Sequence, residues 1–254
     1  LGEALSKAKS KDNVYSVKKY QLDILSLVKS NKIKKHLTKL VDIKEEQPHK
    51  NFRGKLRTYQ IEGLSWLMFL KNNRFGGVLA DDMGLGKTIQ IIALLLHERE
   101  QLAPEVASRL PTLLIAPTSV LGNWQKEIEK FAPSLRSVIH HGSKRANEKA
   151  EFIASIAGCD VVITSFTIAR KDSKLFNQQD WQRVVVDEAQ NIKNPKSAQA
   201  KAIYALKAPH RIAMTGTPIE NRLMDMWSLF HFLIHGLLGD AAAFRQLFRT
   251  PIEK

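Results

Sequence analysis

Short apolar runs alternate with longer amphipathic stretches along most of this chain. Six runs are short enough to be buried strands, at 78–80, 113–116, 138–139, 161–164, 184–186 and 212–215. Apolar residues at three- to four-residue spacing predict a helix through Ile61 and Leu64 and further helices near 88–101, 123–131, 144–157 and 196–206. Apolar strands alternating with helices predict an α/β fold, a doubly wound parallel sheet covered on both faces. Ligands bind such sheets at the carboxyl ends of the strands.

The first part of the chain has a different pattern. Between 14 and 41, apolar positions at helical spacing lie among many lysines, which predicts one or two short amphipathic helices with basic outer faces. Residues 42–55 have the composition of a linker. We therefore divide the chain into a basic helical extension with its linker, residues 1–50, and an α/β domain, residues 51–254. A solvated appendage is favoured for the extension over a dedicated DNA-binding module.

Charge and cysteine content narrow the class of protein. The 254 residues contain 39 Lys and Arg against 25 Asp and Glu, a net charge of +14 that suggests a polyanionic partner, although basic charge also serves solubility. A single cysteine, Cys159, excludes a disulfide framework and a cysteine zinc site. There is no membrane-span run and no signal-peptide pattern, so we expect an intracellular protein without a membrane partner. The chain starts at Leu1, and we expect it to be a piece of something longer.

A glycine-bearing turn follows the first predicted strand. Gly84, Leu85 and Gly86 lead into Lys87-Thr88 and a long apolar helix, the arrangement that binds nucleotide phosphates. The glycines let backbone N–H groups approach phosphate oxygens, Lys87 can reach the β- and γ-phosphates, and the Thr88 hydroxyl can hold Mg²⁺. The strict pattern has glycine where this chain has Asp81. An ordinary turn before a helix therefore remains an alternative for this stretch alone.

A second polar motif ends the valine-rich run at 184–186. Asp187 can hold Mg²⁺ and Glu188 can orient and deprotonate an attacking water. The alternative is a strand that surfaces at an Asp-Glu turn, but a phosphate loop about a hundred residues earlier in the same sheet argues against it. Before that loop, the amide of Gln60 suits the edge of adenine, although a surface glutamine is the commoner explanation.

Three other predicted strands end in hydroxyl residues. Such groups hold phosphodiester oxygens without reading base sequence, and we assign that contact to two strand ends, at Pro117, Thr118 and Ser119 and at Thr164 and Ser165. The third strand end consists of Thr215, Gly216 and Thr217. These residues can connect the nucleotide site with the bound partner, or they can form a simple turn. Trp124 is predicted to be a core residue rather than a base-stacking one.

Together these motifs resemble one protein family. In order along the chain they are Leu56-Arg57-Thr58-Tyr59-Gln60, 79–88, Ala116-Pro117-Thr118-Ser119, Thr164-Ser165-Phe166, Asp187-Glu188-Ala189-Gln190, Thr215-Gly216-Thr217-Pro218 and 220–230. From about Leu56 to Lys254 the chain resembles the first ATPase lobe of Swi/Snf-related (superfamily 2) DNA translocases, the chromatin remodellers and their bacterial relatives. That family also has aspartate at the position of Asp81.

The resemblance implies a RecA-like fold, the cofactors ATP and Mg²⁺, and roles for individual residues. Gln60 would contact adenine, Gln190 with Thr215 would couple hydrolysis to DNA, and residues 220–230 would lead toward a second RecA-like lobe. Many family members have histidine where this chain has Gln190. Arginines of the second lobe would complete the site, so we expect this chain alone to be nearly inactive.

The function that we predict is ATP hydrolysis driving translocation along the backbone of double-stranded DNA, which remodels a DNA-bound protein of unknown identity. One alternative is the first lobe of an RNA helicase. A different one is a non-hydrolysing DNA-binding module with structural nucleotide. The compact lobe and the Asp-Glu-Ala-Gln motif favour a bacterial origin, with a cytoplasmic, nucleoid-associated location, or a nuclear one if the protein is eukaryotic.

Overall fold

A computed structural model of the chain describes residues 43–101, 110–218 and 223–249. The helices predicted between 14 and 41 lie outside the described residues, as do the first three positions of the predicted 220–230 helix. The division of the chain at residue 50 therefore stays a prediction. Among the described residues, no helix combines the length and the apolar character needed to cross a membrane.

The described part is built around one six-stranded sheet in which every pairing is parallel. In chain order the strands are β1 (Gly77–Leu79), β2 (Thr112–Ala116), β3 (Ser137–His140), β4 (Val161–Ser165), β5 (Arg183–Val186) and β6 (His210–Met214). Their order across the sheet is β1-β6-β5-β2-β4-β3. The predicted α/β fold is confirmed, and all six predicted strands are present. Because all pairings are parallel, all six carboxyl ends lie along one edge of the sheet.

Nine α-helices are present in the described ranges. They are α1 (Thr58–Asn72), α2 (Lys87–Gln101), α3 (Leu121–Phe131), α4 (Lys149–Ile156), α5 (Phe166–Lys171), α6 (Ser173–Asn177), α7 (Ala198–Tyr204), α8 (Leu223–Leu233) and α9 (Ala241–Phe244). Two 3₁₀-helices, Thr118–Val120 and Ala189–Ile192, follow β2 and β5, and a π-helix at Arg245–Arg249 follows α9.

Two apolar clusters cover the two faces of the sheet, as burial on both sides of a parallel sheet requires. One contains Leu64 of α1, Ile91 of α2 and Ile128 of α3. The other contains Phe152 of α4 and Phe232 of α8. The side chains of β2, β4 and β5 are buried along their whole length, which explains the apolar runs within these strands.

The segment 141–148 differs from the prediction, because the helix expected near 144–157 covers only Lys149–Ile156. Arg145 lies in this segment and donates hydrogen bonds of 2.6 and 2.9 Å to the two carboxylate oxygens of Asp172. His140 Nε2 lies 2.9 Å from the same carboxylate. Although burial raises the pKa of Asp172, the hydrogen bonds from Arg145 and His140 hold it below its usual value. The segment before the helix is thus anchored by a bidentate ion pair between Arg145 and Asp172.

Buried charges hold the opposite, amino-terminal edge of the sheet together. Arg183, the first residue of β5, donates hydrogen bonds of 2.8 and 2.6 Å to Glu98 of α2. Its Nε donates to Nδ1 of His210, the first residue of β6, at 2.6 Å. Burial, together with the Arg183 charge, lowers the pKa of His210 from 6.5 to about 3. His210 is therefore a neutral acceptor at physiological pH.

Candidate nucleotide-binding site

The turn between β1 and α2 has the geometry of a phosphate-binding loop. Gly84 and Gly86 have φ angles of 82° and 76°, in the left-handed region that favours glycine. The amine of Lys87 donates to the carbonyls of Asp81 and Asp82 at 2.7 and 3.0 Å. The cation therefore folds over the loop at the N-terminus of a fifteen-residue helix, where the backbone also favours anions.

Helix α1 supports this loop from one side. Tyr59 Oη and Gln60 Nε2 both donate to the Leu85 carbonyl, at 2.9 and 3.1 Å. A Cβ at Gly86 would lie 2.5 Å from Gln60 Nε2, so this close approach requires glycine. Gln60 Oε1 also accepts from the backbone N–H of Arg57 at 2.9 Å. The structure thus places Gln60 against the loop, and its contact with adenine stays a prediction.

The carboxylate of Asp81 accepts a hydrogen bond that a glycine at this position could not accept. Gln90 of α2 donates from Nε2 to Asp81 Oδ2 at 2.7 Å. Gln90 is fully buried, and Asp81 is half-buried. The carboxylate therefore ties the start of the loop to the helix that follows it, which gives a physical reason for aspartate at this position.

The acidic motif lies at the end of β5, and both carboxylates are half-buried. Asp187 Oδ2 accepts from the indole N–H of Trp124 at 2.9 Å, and Oδ1 accepts from the backbone N–H of Glu188, also at 2.9 Å. Burial and the neighbouring Glu188 charge raise the pKa of Asp187, against the Trp124 hydrogen bond and the charge of Lys87. Because β1 and β5 are the two neighbours of β6, the phosphate loop after β1 and the acidic motif after β5 lie at the same edge of the sheet.

Glu188 continues into a short chain of hydrogen bonds. Its φ of 51° is unusual for a residue other than glycine, and such strained residues cluster at functional sites. Gln190 donates from Nε2 to Glu188 Oε2 at 2.7 Å and accepts from Thr215 Oγ1 at 3.1 Å. Thr215 Oγ1 in turn accepts from the backbone N–H of Thr217 at 3.1 Å. Gln190 therefore connects the end of β5 with the end of β6, and its role in coupling hydrolysis to DNA stays a prediction.

The other hydroxyl strand ends fall into two groups. Thr118 and Ser119 are exposed on the 3₁₀-helix after β2, and Pro117 before them is half-buried. Thr164 and Ser165 are buried. Thr164 Oγ1 donates to the carbonyl of His140 at 2.9 Å, and Ser165 Oγ caps α5 by accepting from the N–H of Ile168 at 3.3 Å. Direct DNA contact by Thr164 and Ser165 stays a prediction, and it would require these hydroxyls to exchange their present partners.

The side chains at this edge fit a magnesium nucleotide. A Cβ at Gly84 would meet no heavy atom within 4 Å, so the loop opens to ligand on that side. The described ranges contain no group of three or more His, Cys, Asp or Glu side chains that could hold a metal ion by themselves. Mg²⁺ usually takes only one or two carboxylates and completes its shell with phosphates and water. Asp187 with the hydroxyl of Thr88, in the first turn of α2, matches that donor set.

Sequence reasoning missed three contributors to this site. Trp124 was correctly predicted to be buried, at 2% exposure, but its hydrogen bond to Asp187 was not foreseen. Tyr59 and Gln90 were not singled out. Their partners lie between 9 and 63 residues away in sequence, so no local pattern reports these contacts.

A parallel sheet with a phosphate-binding loop after one strand and an Asp-Glu pair after another defines a RecA-like P-loop nucleotide-binding domain. The chain belongs to the SNF2-related domain family, which matches residues 59–254. This confirms the Swi/Snf resemblance, and members of the family are named ATP-dependent helicases and translocases.

Individual relatives agree with this assignment. The chain is 45% identical over 218 residues to YwqA of Bacillus subtilis, whose name describes an ATP-dependent helicase/translocase, covering 86% of this chain and 23% of that protein. It is 36% identical over 226 residues to the TATA-binding protein-associated factor MOT1 of Saccharomyces cerevisiae, covering 85% of this chain and 12% of that one. The bacterial relative supports the expected bacterial origin.

A solved structure is similar as well. The SWI2/SNF2 ATPase core of Sulfolobus solfataricus, in complex with double-stranded DNA, matches with a TM-score of 0.73 and 41% identity. The match covers 83% of this chain and 42% of that one. The chain thus spans less than half of that structure and about a quarter or less of the two curated relatives.

Proposed function

We propose that this chain is the ATP-binding lobe of a double-stranded-DNA-dependent ATPase that translocates along DNA and remodels proteins bound to it. The observation that carries the proposal is the position of the Lys87 loop and of the Asp187-Glu188 pair at the carboxyl ends of β1 and β5, the two neighbours of β6. Both carboxylates are half-buried, burial raises the pKa of Asp187, and such perturbed acids are typical of functional sites.

Each residue of the site has a separate task in this proposal. The N–H groups around Gly84, Leu85 and Gly86 and the amine of Lys87 hold the phosphates, and Thr88 with Asp187 holds the metal. Bound Mg²⁺ would neutralise charge on the β- and γ-phosphates. Glu188 orients the attacking water and accepts its proton, while the amide of Gln190 fixes the direction of the Glu188 carboxylate.

DNA would lie along the other half of the same edge. The residues proposed to bind nucleotide follow β1, β5 and β6, which are neighbours in the sheet, and the ends of β2, β4 and β3 form the other half of the edge. Thr118 and Ser119 are exposed there and can meet phosphodiester oxygens, and a net charge of +14 favours a polyanion. The similar Sulfolobus core was solved with double-stranded DNA, which supports duplex as the partner.

A second RecA-like lobe completes the motor in this proposal. In comparable phosphoryl-transfer sites an arginine supplied from outside raises the rate by about 10³-fold or more. This chain spans less than half of the similar ATPase core, so hydrolysis by the chain alone should be close to background. The proposed location is the bacterial cytoplasm, on the nucleoid. The remodelled target stays unassigned.

The experiment compares nucleotide and nucleic-acid binding by this chain. We expect Mg·ATP binding that Lys87→Ala weakens, and tighter binding to duplex DNA than to RNA of the same length. A preference for RNA would favour an RNA helicase lobe. Glu188→Gln, placed in a protein carrying both lobes, should abolish turnover while nucleotide binding is kept. Unchanged function in that variant would favour a non-hydrolysing module, and nucleotide binding indifferent to Lys87 would overturn the proposal.

A further inference from the structure

Trp124 differs from the other buried tryptophans in what its N–H group meets. The indole of Trp181 donates to the backbone carbonyl of Phe176 at 2.8 Å, and that of Trp227 donates to the carbonyl of Gly239 at 3.2 Å. These are ordinary ways to satisfy a buried donor. Trp124 instead donates to the carboxylate of Asp187 at 2.9 Å, and its own side chain is 2% exposed.

This bond fixes the rotation of the carboxylate. Asp187 Oδ1 accepts from the backbone N–H of Glu188, and Oδ2 accepts from the indole. Each oxygen keeps lone-pair capacity for a further ligand, while the plane of the group is held from two sides. The backbone N–H of Asp187 is also anchored, at 2.8 Å from the carbonyl of Ile115 on β2.

The indole also connects the carboxylate to a particular helix. Trp124 lies in α3, which begins at Leu121, directly after the 3₁₀-helix Thr118–Val120 that exposes Thr118 and Ser119. Ile128, one turn further along α3, is fully buried, so the helix presents the indole from a packed face. Any displacement of α3 must therefore move the donor that orients Asp187.

We propose that Trp124 is a positioning residue, which holds the Asp187 carboxylate for the metal of the bound nucleotide and makes that site responsive to α3 and the DNA contact before it. The inference rests on the proposed function. It defines a connection between the two halves of the sheet edge through β5 and β2, separate from the Gln190–Thr215 bridge between β5 and β6.

The test uses Trp124→Phe, with Trp181→Phe as the matched control. Both variants remove one buried indole N–H and keep an aromatic ring, but only the first removes a donor to Asp187. The Mg²⁺ concentration that half-saturates binding of a fluorescently labelled ATP analogue is measured by anisotropy. Loss of a partner that orients a metal ligand typically weakens metal affinity by about 10- to 100-fold. We expect a shift of about 10-fold for Trp124→Phe and little change for Trp181→Phe.

Two results would overturn the inference. They are an unshifted Mg²⁺ requirement in Trp124→Phe, and an equal shift in both variants. Metal-free nucleotide affinity, measured in EDTA, should stay near wild type, because the indole acts on the metal ligand rather than on the phosphates. If Trp124→Phe does not fold, benzothienylalanine at position 124 keeps the fused-ring shape without the N–H, and the same shift is expected.

The link to DNA has its own measurement. Duplex DNA should change the Mg²⁺ requirement of the wild-type chain and of Trp181→Phe, and this change should be lost in Trp124→Phe. Its persistence in Trp124→Phe, or its absence in the wild type, would overturn the link. Wild-type protein that does not bind Mg·ATP at all would instead contradict the proposed function, so the two failures are distinguishable.

Discussion

The side chain of Gln190 has one polar group for each of two neighbours. Its N–H donates to Glu188 and its carbonyl accepts from Thr215, and an ionised carboxylate could not do both because it has no donor. A neutral histidine can, because one ring nitrogen donates while the other accepts. This explains in physical terms how glutamine and histidine can serve at one position.

We therefore predict that Gln190→Ala, in a protein carrying both lobes, lowers the DNA-stimulated turnover number about 10-fold, since a positioned base contributes at least that much. The KM for ATP should change little, because the phosphate contacts remain. Gln190→His should keep most of the activity. Steady-state kinetics of the two variants checks this, and wild-type turnover in Gln190→Ala would contradict it.

At the scale of elements, Ser165 and Ser197 both cap the N-terminus of a helix. Comparing them distinguishes an effect on stability from an effect on DNA binding. Ser165 caps α5, and Ser197 caps α7 by accepting from the N–H of Ala200 at 3.1 Å. Removing such a cap typically costs about 1 kcal/mol. Only Ser165 lies at a strand end predicted to contact DNA.

We predict that Ser165→Ala and Ser197→Ala each lower the unfolding midpoint by about 2–4 °C, as about 1 kcal/mol does in a domain of this size. If Ser165 also meets a phosphate, Ser165→Ala alone should weaken binding to duplex DNA. Thermal unfolding and a DNA-binding titration of both variants decide this. Equal DNA affinity in the two would limit Ser165 to its cap.

The helices and strands also show how much of the structure can be predicted from the sequence. Apolar runs located all six strands, because parallel strands buried on both faces are apolar without interruption. The phosphate loop and the Asp187-Glu188 pair were located because each combines unusual residues with a strand end. The order of strands is a non-local property, so the contact of Trp124 with Asp187, which depends on β2 lying beside β5, was not predictable. The ion pair of Arg145 with Asp172, just before the shortened α4, was not predictable for the same reason, because the two residues are 27 positions apart.

In the whole molecule, charged side chains are buried or half-buried at both edges of the sheet. We expect those at the amino-terminal edge to determine how the free energy of unfolding depends on pH. Folded His210 resists protonation down to a pKa of about 3, whereas the unfolded chain binds that proton below 6.5. A group whose pKa is lowered by folding contributes stability above its unfolded pKa, and this is lost as pH falls toward the folded value. Glu98 also has a lowered pKa, because Arg183 outweighs the effect of burial, but its unfolded value of 4.5 places its contribution at lower pH.

We predict that the free energy of unfolding falls between about pH 6.5 and pH 5, with His210 contributing about 1.4 kcal/mol per pH unit. His210→Asn keeps an acceptor for Arg183 Nε and removes the titration, so its pH profile should be shallower by that amount. Urea unfolding of both proteins measures this. The difference between their free energies of unfolding near pH 7.5 measures the effect of the substitution on packing alone. Parallel pH profiles below pH 6.5 would show that His210 does not cause the loss of stability.

The rate of ATP hydrolysis depends on whether the residues of this chain are sufficient for catalysis. In the proposed mechanism Lys87, Asp187 and Glu188 contact the nucleotide from this lobe only, and a net charge of +14 favours binding to duplex DNA even without hydrolysis. We therefore predict ATP hydrolysis by this chain at the level of Lys87→Ala, with or without duplex DNA, together with DNA binding that weakens steeply as salt rises. A colorimetric phosphate assay and a salt titration measure the two. Robust turnover that depends on Lys87 would mean that a neighbouring copy supplies the arginines proposed for a second lobe, or that the site does not need them.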